Sequence, residues 1–264
     1  MDRPLFLITN DDGIHAAGIK HLWDAVHEFA DVAIVAPLSE KSGSGVAITN
    51  FKPLRISQVF WEKNTPAWSV SGTPADCVKM ALSVLLKRQP NLILSGINSC
   101  TNSGRTLFYS GTVGGAIEGA LRGIPGLAFS FNDNYSEESV FPPVGSVKSH
   151  IVSLVRHFLE DPLPSGTLVN INFPSNCTKE IKGFKMAKQG RGYWVEKPDL
   201  RTQPEGIPYY WLGNRWSDHE EEPDSDVALL KEGYITAVPL HVADLTHHDL
   251  LQSRRSAFEN LQKS

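Results

Sequence analysis

The feature that most constrains this chain is a short apolar run that passes directly into two adjacent carboxylates. Leu5 to Ile8 has the pattern of a buried strand, and Thr9-Asn10-Asp11-Asp12-Gly13 follows it as a turn. Where a chain leaves a strand, its backbone can rotate so that both carboxylates reach one ion. Two anionic oxygen donors favour a hard divalent cation such as Mg²⁺ or Mn²⁺. Because Asn, Asp and Gly also dominate ordinary turns, a purely conformational role fits this stretch equally well.

An amphipathic helix and a second apolar strand follow this turn. Ile19, Leu22, Trp23 and Val26 recur at helical spacing, and the run 32–36 ends at a proline. A strand, a helix and a strand within about thirty residues predict a right-handed βαβ unit with parallel strands. Ligands of such sheets bind beyond the carboxyl ends of the strands, where the two aspartates lie. The sequence therefore predicts an α/β fold with its site at that edge.

The same alternation of strands and helices continues to about residue 176. Thr73-Pro74-Ala75-Asp76 has the residues of a helix start, with Thr as the N-cap. Further strands are predicted at 92–95, 126–130 and 167–173, and a further helix is predicted around 147–158. We therefore assign residues 1–176 to an α/β catalytic core with helices on both faces of a mostly parallel sheet.

From residue 177 the pattern changes to polar and aromatic chain. Residues 177–233 predict an extended β arm, and their density of Tyr and Trp predicts a homo-oligomer interface. The acidic run 218–226 is interpreted as a solvated loop and not as a metal site. Residues 234–264 predict a return strand and a C-terminal helix capped by Thr246, whose apolar residues need something to pack against.

Other polar loops are expected at the same edge as the aspartates. Ser42-Gly43-Ser44-Gly45 leaves N–H groups and hydroxyls open to an anion or a metal, although such loops usually have no chemistry. Asn98 follows the predicted strand 92–95. Ser110-Gly111-Thr112 begins a helix and would suit a phosphate, although close helix packing also explains the nearby glycines. No Gly-Lys-Ser/Thr follows, which excludes a conventional P-loop NTPase.

The composition of the chain argues against some classes of binding partner. The 264 residues carry a formal net charge of −4 and no Lys/Arg run, so a nucleic-acid duplex or an anionic membrane is not an expected partner. No apolar stretch is long enough to span a bilayer, which predicts a cytoplasmic protein. The three cysteines, Cys77, Cys100 and Cys177, are odd in number and have no close CxxC spacing, so we expect reduced thiols.

Five ordered motifs together resemble the SurE family of metal-dependent 5′/3′-nucleotidases. They are 9–13, 42–45, 71–78, 95–98 and 109–116. The resemblance implies a Rossmann-like α/β core, an extended β hairpin, and a C-terminal segment exchanged within a homodimer or homotetramer. One departure concerns Cys100, which stands where the family usually has glycine. If the backbone there has positive φ, as glycine allows, the cysteine side chain would displace Asn102.

The resemblance also implies the site residues and the reaction. One Mg²⁺ or Mn²⁺ per subunit would be held by Asp11, Asp12, Ser42 and Asn98. A phosphate pocket would be formed by Asn10, Gly43, Asn102, Ser110, Gly111 and Thr112. The implied reaction is hydrolysis of nucleoside 5′- and 3′-monophosphates to nucleoside and phosphate, with exopolyphosphatase as a side activity.

Asp11 and Asp12 are the predicted catalytic residues, and either of them could act as the general base. Two alternatives stay open at this point. A haloacid-dehalogenase-type phosphatase would use an aspartate as nucleophile, although its Asp-Xaa-Asp pattern is absent here. A nucleotide-sensing module would bind phosphate without turnover.

Overall fold

A nine-stranded sheet forms the centre of the computed structural model, which describes residues 3–131, 144–175, 181–217 and 219–261. Its strands in chain order are β1 (Leu5–Thr9), β2 (Asp31–Pro37), β3 (Ile56–Gln58), β4 (Ala67–Val70), β5 (Leu92–Asn98), β6 (Gly126–Phe131), β7 (Thr167–Phe173), β8 (Phe184–Met186) and β13 (Ile235–His241). Two separate ladders pair β9 (Tyr193–Glu196) with β12 (Asn214–Ser217), and β10 (Asp199–Thr202) with β11 (Pro208–Trp211).

Helices cover both faces of this sheet. The described α-helices are α1 (Ala17–Val26), α2 (Pro74–Met80), α3 (Gly111–Leu121), α4 (Val144–Glu160), α5 (Asp226–Lys231) and α6 (His248–Glu259). α1 and α4 share one apolar core with the sheet, and α2 and α3 pack on the opposite face. Among the described helices none is long and apolar enough to span a membrane.

The strand order is β3-β4-β2-β1-β5-β6-β7-β13-β8. β1 lies between β2 and β5 and is parallel to both, while β3 and β13 run antiparallel to β4 and β7. The mostly parallel α/β fold is therefore as predicted. With β1 central, the turn that follows it opens at the carboxyl edge, beside the ends of the neighbouring strands.

The helical spacing of apolar residues that the sequence shows matches the packing in the structure. Ile19, Leu22, Trp23 and Val26 are all buried in the α1 interface with the sheet. Thr73 forms the expected capping box with Asp76: the Thr73 hydroxyl accepts from the Asp76 N–H, and the Asp76 carboxylate accepts from the Thr73 N–H at 3.0 Å.

The described part of residues 177–233 contains the β9–β12 and β10–β11 ladders, and many of its apolar side chains are exposed. The apolar side chains of α6 are also exposed, since this helix buries none of its residues. Its N-cap is His247, which accepts from the Leu250 N–H at 3.1 Å, so the prediction that Thr246 caps this helix was wrong. The division into three parts and the exchange between subunits stay predictions. Cys77 is a free thiol, and Cys177 lies outside the described residues.

Asp226 corrects the interpretation of the acidic run as a solvated loop. Its side chain is fully buried at the start of α5 and accepts from the N–H groups of Gly104 at 3.0 Å and of Gly190 and Val227 at 2.8 Å each. Burial raises the pKa of Asp226 to about 6 although these bonds oppose it. The carboxylate thus ties the loop after β5 to the base of the arm. Asp218, also in the run, lies outside the described residues.

We predict that Asp226→Asn destabilises the protein. An amide offers one acceptor oxygen where the carboxylate uses two, so at least one N–H group loses its acceptor and faces a donor, at a cost of about 1–3 kcal/mol. Urea unfolding measures this loss. Asp224→Asn is the control, because Asp224 is exposed and its ion pair with Lys188 should contribute less than about 1 kcal/mol. Equal stability of the two variants would contradict this account.

Candidate active site

The turn after β1 is closed by Asn10. The buried Asn10 amide donates to the Gly13 carbonyl at 2.9 Å and accepts from the Gly13 N–H at 3.2 Å. Gly13 has φ +103°, a left-handed conformation that a side chain would strain. Because both polar groups of the Asn10 side chain are used inside the turn, its predicted role at a phosphate is not evident from its contacts.

Asp11 is buried and lies against the first turn of α3. The Thr112 hydroxyl donates to Asp11 Oδ1 through a short hydrogen bond, and the backbone N–H groups of Gly111 and Thr112 also stabilise the carboxylate. Burial has the larger effect and raises the pKa of Asp11 above its ordinary value. The donors predicted for a phosphate therefore face Asp11 in this structure.

Asp12 is half-buried and has no hydrogen-bond or ion-pair partner among the described residues. Burial and, to a smaller extent, the neighbouring charges of Asp11 and Glu40 together raise the pKa of Asp12 to about 7. Asp11 is thus anchored by hydrogen bonds, whereas Asp12 is available to another group.

The Ser/Gly loop lies across this turn. The Lys41 N–H donates to the Asp11 carbonyl at 2.7 Å, and the Gly45 N–H donates to the Tyr109 carbonyl at 3.0 Å. Gly43, with φ +73°, is exposed in this loop. The loop therefore connects the aspartate turn with the segment that leads into α3.

Within this loop the two serine hydroxyls differ in their contacts. Ser42 is exposed, and its hydroxyl donates to Glu40 at 2.7 Å. The Ser44 hydroxyl is buried and has no hydrogen-bond partner in the part of the chain that is described. A Cβ built on Gly111 would lie 2.8 Å from Ser44 Oγ and 2.9 Å from Asp11 Oδ2, so both oxygens border the same small space. Ser44 was not among the predicted site residues, and Ser42 stays a predicted ligand of the ion.

Asn98 ends β5 and pairs in register with Ser130 of β6. Its side-chain nitrogen donates to the Cys100 carbonyl at 2.8 Å, which leaves the amide oxygen as the atom suited to bind a cation. Cys100 is not among the described non-glycine residues with positive φ. The expected strain from cysteine in place of glycine is therefore not observed.

Asn102 is held in a buried polar network. Its N–H donates to Asn172 at 2.9 Å, its side-chain nitrogen donates to Ser130 at 2.7 Å, and its carbonyl accepts from Asn170 at 2.8 Å. These bonds anchor the loop after β5 on β6 and β7. The contacts of Asn102 thus indicate a positioning role, and its predicted contact with phosphate stays a prediction.

Ser110 is the N-cap of α3, since its hydroxyl accepts from the Val113 N–H at 3.0 Å. No three His, Cys, Asp or Glu side chains of the described residues are grouped to hold a metal. An ion at the two aspartates would therefore also need hydroxyl, amide or water oxygens, as magnesium sites commonly do.

The fold and the site define a Rossmann-like α/β protein with paired carboxylates at the carboxyl edge of its sheet. A family model described as Survival protein SurE matches residues 6–196. The chain belongs to the SurE family.

Similar proteins match nearly the whole chain. Relatives named 5'-nucleotidase SurE include one from Protochlamydia amoebophila (46% identical, covering 97% of each chain) and one from Moorella thermoacetica (42% identical, covering 94% of each). The crystal structure of the SurE protein from Aquifex aeolicus superimposes with a TM-score of 0.80 at 34% identity, covering 97% of this chain and 100% of that one.

We predict that Thr112→Val destabilises the protein although the two side chains are similar in volume. The valine cannot donate to the buried Asp11 carboxylate, and losing a hydrogen bond to a charged group costs about 1.5–3 kcal/mol. Thr112→Ser keeps the donor and is the matched control. Denaturant unfolding at neutral pH in EDTA compares the two, and a valine variant as stable as the serine variant would contradict the assigned bond.

We also predict that, in EDTA, stability falls as the pH rises from about 4 to about 7. Folding raises the pKa of Asp12 from 3.8 to about 7 and raises that of Asp11, so the native state binds protons more tightly than the unfolded state in this window. Above this window the contribution of Asp12 to stability is fully lost. The raised pKa of Asp226 also makes stability fall as the pH rises. Thermal unfolding of Asp12→Asn should depend less steeply on pH, and curves parallel to those of the wild type would refute this.

Proposed function

We propose that this chain is a metal-dependent phosphomonoesterase that hydrolyses nucleoside 5′- and 3′-monophosphates to nucleoside and phosphate, with exopolyphosphatase as a side activity. The class of reaction follows from relatives that match it over nearly their whole length and are named 5'-nucleotidase SurE. The observation that carries the proposal is the free Asp12 carboxylate beside the anchored Asp11, at the first turn of α3.

The donor set fits a hard divalent cation. Asp11 and Asp12 have no Lys or Arg partner within the described ranges, and two adjacent unpaired carboxylates repel each other. The buried Ser44 hydroxyl beside them also has no partner there. One Mg²⁺ or Mn²⁺ per subunit would be held by both aspartates with Asn98 and either Ser42 or Ser44. When bound, it would neutralise phosphoryl oxygens and favour deprotonation of an attacking water.

The protein's own residues would accept the proton and bind the phosphoryl group. Asp12, which has no hydrogen-bond partner in the described ranges, is the better candidate to accept a proton from the attacking water. The positive end of the α3 dipole, at Ser110, Gly111 and Thr112, would favour the phosphoryl charge, while the Gly111 and Thr112 N–H groups hold Asp11 in place. Asp11 is engaged by Thr112 and is poorly placed to act as a nucleophile. This contact and the SurE membership argue against the haloacid-dehalogenase alternative, and no observation favours a sensor without turnover.

Exposed aromatic side chains lie beside the site and could contact the nucleoside. Phe108 and Tyr109 directly precede Ser110 and are 66% and 70% exposed. Both contact the Ser/Gly loop through their backbone, since the Gly45 N–H donates to the Tyr109 carbonyl and a Cβ on Gly45 would lie 3.1 Å from the Phe108 carbonyl. Their rings offer faces on which a base can stack.

The proposal includes a homodimer or homotetramer. α6 exposes Leu250, Leu251 and Phe258, and the arm exposes Tyr210 and Trp211. Apolar surface of this kind is typical of an interface between chains. Exchange of the C-terminal helix between subunits would cover the face of α6.

We predict that Asp12→Asn lowers phosphate release from AMP by about 10² to 10⁴, the usual contribution of a general base. EDTA should abolish the wild-type activity, and Mn²⁺ or Mg²⁺ should restore it. Asp199→Asn removes an exposed carboxylate on the arm and should retain activity. A panel of 5′- and 3′-monophosphates and short polyphosphate would test the finer claims. Wild-type-like activity of Asp12→Asn, or activity that survives EDTA, would overturn the mechanism.

A further inference from the structure

A cavity of about 870 Å³ opens at the amino edge of the sheet, opposite the aspartates. The start of β1 and the start of β2 form its floor, with Leu5 and Val32 among the lining residues. The chain segments around Trp61 and Arg88 form its walls. Its volume is in the range of small-molecule sites, which is about 300–1,000 Å³.

Cationic side chains form a connected belt in this cavity. Arg3 donates to the His27 carbonyl at 3.0 Å and pairs with Asp31 at 3.3 Å. Arg88 pairs with the same Asp31 at 2.7 Å, and the Lys63 ammonium lies 2.6 Å from His27 Nε2.

Lys87 lines the same cavity and has no partner in the described part of the chain. Asp31 is the only carboxylate among the described lining residues, against four Lys and Arg side chains. This excess of positive charge occurs in a chain with a net charge of −4, and it favours an anionic ligand.

Aromatic side chains stand next to this belt. The Trp23 ring stacks on His27 with centroids 4.1 Å apart, and Trp61 meets Trp23 edge to face at 6.4 Å. Trp68 also lines the cavity, and Phe60 is 89% exposed at its wall. Trp23, which is 1% exposed, packs behind Trp61. Trp61, Trp68 and Phe60 provide a surface suited to a planar heteroaromatic group.

The Trp61 indole N–H has no acceptor. Its nitrogen is buried and unpartnered among the described residues, whereas the Trp23 indole donates to Thr65 at 3.0 Å. Buried N–H groups are nearly always satisfied in native proteins. A ring nitrogen or a carbonyl oxygen of a ligand would satisfy this one.

The turn that presents Lys63 is also unusual. Lys63 and Asn64 have φ of 52° and 55°, and they are the only non-glycine residues with positive φ in the described ranges. Such conformations cost energy and often occur where a site requires them.

We propose that this cavity is a second ligand site, which binds a nucleoside di- or triphosphate. The base would pack on the aromatic wall and accept from the Trp61 N–H, and the phosphates would lie on Lys63, Lys87 and the two arginines. The site is separate from the catalytic edge, and the argument for it does not use the proposed hydrolysis.

Calorimetric titration of ATP into the full chain in EDTA tests this site, because removal of divalent ions weakens binding at the aspartates. The double variant Lys63→Gln, Lys87→Gln removes two charges and keeps polar side chains at both positions. We expect its affinity for ATP to fall about tenfold or more. Trp61→Phe keeps the ring but removes the donor, and its affinity should fall several-fold.

The matched control is the double variant Lys185→Gln, Lys197→Gln, which removes two exposed charges from β8 and the arm and should bind ATP like the wild type. Circular dichroism and thermal unfolding establish that each variant is folded. Pyrophosphate and adenosine should each bind at least about tenfold more weakly than ATP, since each lacks half of the recognised groups. Absence of saturable binding, equal affinity in the two double variants, or pyrophosphate or adenosine binding as tightly as ATP would overturn the proposal.

Discussion

The architecture of the site depends on how a buried carboxylate is stabilised. Asp11 is out of contact with water, and burial of an ionised group is costly unless hydrogen bonds or opposite charge compensate it. Here the first turn of α3 and the Thr112 hydroxyl provide the hydrogen bonds. The same residue fixes the Ser/Gly loop through its carbonyl. One side chain and its backbone therefore join three segments that are far apart in sequence.

These hydrogen bonds offset only part of the cost of burying the carboxylates, and the remaining cost favours binding of a proton or a cation. The pKa of Asp11 is still raised, and that of Asp12 reaches about 7 because burial and neighbouring carboxylates act together. Only a proton or a cation can relieve this excess of negative charge. In the cavity at the amino edge of the same sheet the balance is reversed, since Lys and Arg side chains outnumber Asp31 among its described lining residues. The parallel sheet thus separates two regions of opposite charge, each suited to a different partner.

Much of the fold follows from local sequence signals. The β1-α1-β2 unit and the Thr73 capping box were predictable because each depends on residues a few positions apart. Contacts between residues far apart in sequence could not be predicted in this way. Asp226 resembles the exposed acids beside it until the fold places Gly104 and Gly190 around it, 122 and 36 positions away. The aspartate pair could be proposed as a site because the two carboxylates are adjacent in sequence, whereas the orientation of the Ser42 and Ser44 hydroxyls depends on how the loop folds.

The contacts of Asp226 also bear on how the arm and the site are related. The loop that begins with Asn98 continues through Asn102 to Gly104, where the buried carboxylate holds it. The Gly104 carbonyl accepts from the Gln189 side chain at 3.1 Å, and the Arg105 N–H donates to the Gly192 carbonyl at 2.9 Å. The base of the arm is therefore bonded to the loop that carries the proposed amide ligand. If the arm is an interface between subunits, as proposed, assembly would act on the position of Asn98 through these bonds, because buried polar networks resist partial rearrangement.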